Sequence, residues 1–218
     1  MAITLPQDAM AQMFDAAPDN DLPQGANYNV CPTNTVAVAV QGTTGRRLRA
    51  MRWGFIPHWY KTPSGGPLLI NARSETIAEK PAFRSACRER RCLIAADGFY
   101  EWKRTAGETP LPYFVTRTDG RPIVMAGIWQ DWSGAQSDPL TTCAIVTCGP
   151  NAEMSPVHDR LPVILGPEDW PLWLGEAGKG AASLMRPAPD GTLALVRVGT
   201  EVNSNRSKGP SLIEPISA

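Results

Sequence analysis

Chemistry near neutral pH calls for groups that trade protons there, and the chain holds two histidines, His58 and His158. His158 lies in Ser155-Pro156-Val157-His158-Asp159-Arg160-Leu161-Pro162, a proline-bracketed segment between two apolar runs. On a rigid scaffold such a loop is a common seat for a reactive group, and equally a place where a histidine caps a turn. His58 sits in Trp53-Gly54-Phe55-Ile56-Pro57-His58-Trp59-Tyr60, where aromatic crowding fits either a packed corner or a platform for flat ligands such as bases. Glu101 stands between Tyr100 and Trp102, and in an extended segment it points to the face opposite both. In a dry, concave site its pKa would rise and it could carry protons near neutrality; on an open face it would pair with Lys103. Asn71 and Arg73 follow the apolar run Pro67 to Ile70 and, two apart on an extended chain, share a face. Their amide and guanidinium donors could hold a phosphate or a sugar oxygen, or could secure a turn ahead of a helix capped by Ser74.

The five cysteines offer less. Cys87 and Cys92, like Cys143 and Cys148, have four residues between them, but the first pair runs from a helix into a strand and the second lies within one strand. Neither arrangement suits a metal, and no metal or other cofactor is expected. Cys31, in Tyr28-Asn29-Val30-Cys31-Pro32-Thr33, is the one cysteine in a turn-like motif, where it serves as a small apolar residue or as a nucleophile.

The elements that must position these residues follow from pattern. Thr4 and Gln7 have capping-box spacing, Pro6 sits in the first turn, and Met10, Met13 and Phe14 follow at helical intervals, predicting a helix near residues 5 to 16. Val36, Val38 and Val40 alternate with alanine as in a strand. Pro81, Phe83, Ala86, Cys87 and Arg90 predict a second helix, which ends before the apolar run Cys92 to Ala96. Strands are expected at Phe99 to Lys103, Tyr113 to Arg117, Ile123 to Trp129, Cys143 to Cys148 and Leu193 to Val198, with a short helix around Pro167, Trp170 and Trp173. Helices and strands do not alternate regularly, so a doubly wound parallel sheet is disfavoured. The expected fold is α+β: a single β-rich domain over residues 1–218, with mixed or antiparallel sheets in a barrel-like core and a few peripheral helices.

Composition is that of an ordinary globular protein: 218 residues, 21 Lys and Arg against 21 Asp and Glu, 43% hydrophobic and 19% charged. Zero net charge argues against coating duplex DNA by bulk electrostatics, while leaving room for a local groove that takes a few phosphates. Residues 73 to 104 hold eight basic and five acidic residues, which suits such a groove or a solvated helix face. No stretch has the length of a membrane span and the start lacks a secretory pattern, so a cytoplasmic protein with reduced thiols is expected.

Taken in order, these segments resemble the SOS response-associated peptidase family, whose members sense and shield abasic sites in single-stranded DNA. The matching blocks are Tyr28-Asn29-Val30 with Pro32-Thr33, Arg52-Trp53-Gly54 with Pro57 and Trp59, and Ile70 to Thr76. Cys92 to Lys103, Ala126-Gly127-Ile128-Trp129, His158-Asp159-Arg160 with Pro162 to Leu165, and Val202-Asn203 with Gly209-Pro210 and Glu214-Pro215 complete them. The resemblance covers about residues 26 to 216. It implies a groove for single-stranded DNA and a reactive N-terminal cysteine, exposed when the initiator methionine is removed. The amine of that cysteine condenses with the ring-opened aldehyde and its thiol closes a thiazolidine. Carried over by motif, Asn71 orients the N-terminus or the sugar, Glu101 is the acid/base and His158 assists Schiff-base formation. Arg73 and Arg160 hold phosphates, Trp59 stacks on or wedges bases, and Asn203 lies with the DNA-binding residues. The expected partner is single-stranded DNA with abasic sites, bound by a monomer, with no membrane and no metal.

One departure accompanies the match. The family begins Met-Cys-Gly-Arg-Phe, whereas this chain begins Met1-Ala2-Ile3-Thr4, as if Met1 stood at the family's phenylalanine. On that register the amino end falls roughly four residues short, about 13 Å of extended chain. The chain as given is then expected to be inactive as a cross-linker, binding DNA weakly and reversibly. Two alternatives are a non-covalent single-strand DNA-binding protein and a cysteine hydrolase that pairs Cys31 with His158, the latter requiring the two within hydrogen-bond reach.

Overall fold

A computed structural model describes residues 1–134 and 138–216. Among these residues, strands β1 (Ala16–Pro18), β2 (Thr35–Gly42), β3 (Gly45–Trp53), β4 (Asn71–Arg73), β5 (Arg91–Ala96), β8 (Ile123–Trp132), β9 (Leu140–Cys148) and β10 (Leu161–Pro162) form one sheet. Its path runs β1-β3-β2-β5-β8-β9-β10, and a further parallel pairing of β3 with β9 closes β3, β2, β5, β8 and β9 into a five-stranded barrel. Strands β6 (Phe99–Lys103), β7 (Leu111–Arg117) and β11 (Leu193–Arg197) make a separate antiparallel sheet in the order β11-β7-β6. Helices α1 (Gln7–Phe14), α2 (Arg84–Glu89) and α3 (Trp170–Leu174) lie around the barrel. The expected β-rich α+β fold is therefore observed.

Four of the barrel strands, β2, β5, β8 and β9, are buried along most of their length, as β5 shows: Cys92, Leu93, Ile94, Ala95 and Ala96 are all fully enclosed. Such a strand reads as a continuous apolar run, the form in which the sequence announced it. A smaller core of Ala2, Tyr100, Phe114, Val198, Val202 and Leu212 lies beneath the second sheet.

The crossover between the two sheets is the part that matters for the site. Asp97 and Gly98 link β5 to β6, and the N-terminal segment is tied into this corner. Ala2 N–H donates to the Gly98 carbonyl at 2.9 Å, Asp97 N–H donates to the Ala2 carbonyl at 2.9 Å, and Thr4 N–H donates to the Asp97 carboxylate at 2.6 Å. A side chain at Gly98 would strike the Val115 carbonyl and the Phe114 ring, so only glycine admits this approach.

The capping box expected from Thr4 and Gln7 does not form. Helix α1 starts after Pro6 with no side-chain cap, because Asp97 has taken Thr4 and the Gln7 amide bonds to the Leu22 and Pro23 carbonyls. Tertiary partners here outbid a local motif worth about 1 kcal/mol.

Candidate active site

Between the barrel and the second sheet lies a cavity of about 590 Å³ whose lining includes Met1, Asn29, Cys31, Asn71, Arg73, Glu101, Trp102, His158, Arg160 and Asn203. They come from six separate segments: the amino end, the turn at residues 29–31, β4, β6, the loop before β10 and the segment that holds Asn203. Strand β4 is three residues long and pairs in parallel with β9, Asn71 opposite Ile145 and Arg73 opposite Thr147. Ala72 is buried and its two neighbours are exposed, so Asn71 and Arg73 share the cavity face that their spacing predicted.

Glu101 enters from the middle of β6, opposite Tyr113 on β7. Its aromatic neighbours anchor the strand. The Tyr100 hydroxyl donates to the Tyr28 carbonyl at 2.6 Å, and the Trp102 indole N–H donates to the Asn203 amide oxygen at 2.7 Å. Desolvation raises the Glu101 carboxyl above the ordinary carboxylate value, against the lowering influence of His158 and the chain's amino group. The pairing with Lys103 that an open face would have allowed is not made; the basic side chain within 4 Å of the carboxylate is His158.

His158 sits on the loop before β10. Its Nδ1 accepts the Arg160 N–H at 3.0 Å, which leaves the proton of the neutral ring on Nε2. Nε2 stands 3.8 Å from Glu101 Oε2. Arg160 is bound at both ends of its fork: Nη1 and Nη2 meet Glu75 at 2.8 and 2.9 Å, and Nη2 also donates to the Thr147 carbonyl at 2.8 Å. This pairing holds the Glu75 carboxyl down at about 2. Arg160 Nε is buried without a partner.

The amino end of the chain corrects the reach argument made from sequence. Met1 lines the same cavity as Glu101 and His158, and its amino group is buried. The Met1 amine donates to the Val30 carbonyl at 3.1 Å, and Val30 N–H donates back to the Met1 carbonyl at 2.8 Å. Burial lowers this amine from 8.0 to about 5, outweighing the charges of Cys31 and Glu101 that oppose the shift. At neutral pH it is therefore the free base, in the same cavity as Glu101 and His158.

Cys31 follows Val30. Its thiol donates to the Asn29 carbonyl at 3.3 Å, and the turn that carries it is held by Asn34, which accepts the Cys31 N–H at 2.9 Å. Thr33 in this turn has φ of +75°, a conformation that costs a β-branched residue energy and is kept by its N–H bond to the Trp53 carbonyl at 2.7 Å. Cys31 and His158 have separate hydrogen-bond partners, so the Cys–His pair of a hydrolase is not formed. The other thiols are poor nucleophiles: Cys92 and Cys143 are buried in the barrel, with Cys143 pushed up to about 12, and Cys148 is raised to about 11.

Asn71, Arg73, Glu101, His158, Arg160 and Asn203 thus meet at one cavity, while Trp59 does not line it. Trp59 is 49% exposed on the loop after β3, its ring 4.9 Å from that of His58 in an edge arrangement. Trp102, overlooked as a site residue, does line the cavity; its place beside Glu101 in an aromatic strand was the available signal. Among the described residues no group of three or more His, Cys, Asp or Glu is placed to hold a metal.

Comparison with known proteins places this geometry. The family model described as SOS response associated peptidase (SRAP) matches residues 1–205. Abasic site processing protein YoqW of Bacillus subtilis is 37% identical over 202 residues, covering 90% of each chain. Abasic site processing protein YedK of Escherichia coli is 31% identical over 193 residues, covering 87% of this chain and 84% of its own. Among solved structures, a protein from Bacteroides thetaiotaomicron superposes with a TM-score of 0.83 at 22% identity over 99% of both chains. A phage-related protein from Bordetella bronchiseptica gives 0.74 at 26% identity, covering 96% of this chain and 99% of its own.

Proposed function

The chain belongs to the SOS response associated peptidase family, and from that premise we propose that its cavity processes abasic sites in single-stranded DNA. The observation that carries this reading is the buried Met1 amine, lowered to about 5, in the cavity that also holds Glu101 and His158. An abasic sugar in its ring-opened form is an aldehyde, and a neutral amine is the group that condenses with it. The amine attacks C1′, a carbinolamine forms, and water leaves to give an imine. Loss of water needs a proton delivered to the departing hydroxyl. Glu101, held above the ordinary carboxylate range, is the donor, with His158 Nε2–H as its neighbour and relay.

Binding follows from the rest of the lining. Arg73 takes a phosphate beside the sugar, and Asn71 on the same strand face orients the sugar or the amine. Asn203 and the Trp102 ring it anchors receive the neighbouring base, and the exposed Trp59 stacks on or wedges bases further along the strand. Arg160 reaches a phosphate only by exchanging Glu75 for it, since both terminal nitrogens are engaged. In members that carry Met-Cys-Gly-Arg-Phe, an N-terminal thiol next to the amine would close a thiazolidine.

Reductive trapping tests the reading. With borohydride present, the protein is expected to form a covalent adduct on single-stranded DNA containing one abasic site. Intact single strands are expected to give none. Non-covalent retention of abasic DNA without any trapped adduct would instead favour a binding protein without chemistry.

A further inference from the structure

Of the run Asn71 to Thr76, the chemistry above uses Asn71 and Arg73 and gives Glu75 no part. Glu75 lies in the turn after β4, where its carboxylate accepts from both arms of the Arg160 fork at 2.8 and 2.9 Å. The fork also reaches the Thr147 carbonyl at 2.8 Å, an oxygen that accepts the Ser74 N–H at 2.8 Å as well. Arg160 is therefore clamped between the turn after β4 and strand β9, on the loop that carries His158.

The peptide groups of Arg160 meet the His158 ring. Three groups address Nδ1: the Arg160 N–H at 3.0 Å, the Arg160 carbonyl at 3.3 Å and the Asp159 carboxylate at 3.5 Å. The first needs a lone pair on Nδ1 and the other two need a proton there. A neutral imidazole has one proton for its two nitrogens, so the contest at Nδ1 settles what Nε2 offers to Glu101, 3.8 Å away. With the N–H in front, Nε2 carries the proton and points it toward the carboxylate. If the Arg160 peptide turned, its carbonyl or Asp159 would draw the proton to Nδ1, and Nε2 would meet Glu101 with a lone pair.

Resting on the proton relay of the proposed function, we propose that Glu75 is a positioning residue: through Arg160 it holds the peptide that fixes His158 as the Nε2–H tautomer. Glu75 acts without touching the ring, which it reaches only through the Arg160 fork. Its carboxyl, held down at about 2 by the Arg160 guanidinium, stays ionised throughout the neutral range, so the clamp does not loosen there. The same ion pair also fits a rival role, in which Glu75 stands in for a phosphate and keeps Arg160 occupied until DNA arrives. The two roles predict opposite results.

The test uses the whole chain labelled with ¹⁵N. His58→Gln assigns the ring signals, since His58 and His158 are the two histidines. At about pH 9, well above the ordinary histidine value of about 6.5, long-range ¹H–¹⁵N spectra of the wild type are expected to show His158 with a protonated Nε2 and a bare Nδ1. Glu75→Ala is expected to move Nδ1 toward the protonated shift. Glu75→Gln, whose amide oxygen can still accept from the fork, is expected to fall between the two, and it serves alone if alanine disturbs the turn. Both variants are expected to melt close to the wild type, because a solvent-facing ion pair adds little to stability. On single-stranded DNA with one abasic site, Glu75→Ala is expected to bind as the wild type does and to form borohydride-trapped adduct about tenfold more slowly, since misplacing a proton donor costs rate more than affinity. Ring shifts identical to the wild type in both variants would overturn the positioning role. Tighter DNA binding with a steeper salt slope, at an unchanged trapping rate, would overturn it in favour of the phosphate stand-in. Absence of trapped adduct from the wild type would overturn the imine reading alone, and the ring spectra would still decide what Glu75 does to His158.

Discussion

At the scale of the residue, the proposed chemistry turns on the balance between burial and charge at the Met1 amine. Desolvation wins, and the group is a free base at neutral pH. Imine formation is therefore expected to rise as pH passes about 5 and to decline again once Glu101 has lost its proton, above the ordinary carboxylate range. The rate of borohydride-trapped adduct against pH measures both limbs. Glu101→Gln is near-isosteric, so it is expected to fold normally, to slow trapping by about 10²- to 10⁴-fold and to lose the alkaline limb. The same groups leave a trace in stability. Between about 5 and 8 the unfolded chain holds the amine proton and the folded chain does not, so this contribution is complete above 8 and is lost as pH falls through 5. Glu101, raised in the fold, acts in the opposite sense, contributing stability that is lost as pH rises through its folded value. Thermal midpoints from pH 5 to 8 should accordingly climb more steeply for Glu101→Gln than for the wild type. Of this detail the sequence supplied the identities Asn71, Arg73, Glu101 and His158, through motif and spacing. It could not supply the burial of Glu101, because alternation along β6 says which way the side chain points and not what lies there. Nor could it show that Glu75 occupies the Arg160 fork, a contact between residues 85 positions apart in the chain.

Elements that read as single-faced or continuous apolar runs were legible in the sequence. Strands β2, β5, β6, β8 and β9 stand where valine alternation and the apolar stretches put them. Strand β3 was not anticipated, because Arg46, Arg47, Arg49 and Arg52 interrupt any apolar pattern. In the fold Arg46 meets Glu176 at 2.7 Å, Arg49 meets Asp19 at 3.0 Å with its guanidinium 5.0 Å over the Trp129 ring, and Arg47 and Arg52 donate to the Thr44 hydroxyl at 3.0 Å and the Gly54 carbonyl at 2.6 Å. Strands β1, β4 and β10 are two or three residues long, too short for periodicity to show. The element whose integrity the site depends on most is the corner at Gly98, which carries the N-terminal segment into the cavity. Gly98→Ala is expected to cost about 1–3 kcal/mol, as overpacking against backbone does, and to lower trapped adduct by more than the lost stability explains. Urea unfolding alongside trapping on the folded fraction separates the two effects.

For the molecule as a whole, 21 basic and 21 acidic residues leave no net charge to attract a polyanion from a distance. On the proposed function, affinity for single-stranded DNA comes from the few cations at the cavity, so the salt dependence is expected to be shallow. Replacing Arg73 by alanine should weaken binding to any base sequence and reduce the slope of log affinity against log salt by ~0.7, the value of one phosphate contact on a single strand. Arg160→Ala should change the slope less than Arg73→Ala while lowering stability, because its fork is committed to Glu75 and Thr147. Filter binding over a range of salt, set against thermal melts of both variants, reads these differences. The central claim, that the amine at the cavity is the group that meets the abasic aldehyde, is tested most directly by locating the sugar after borohydride trapping. Tandem mass spectrometry of the digested adduct is predicted to place the remnant on the α-nitrogen of Met1. A remnant on a lysine side chain, with Met1 unmodified, would contradict it.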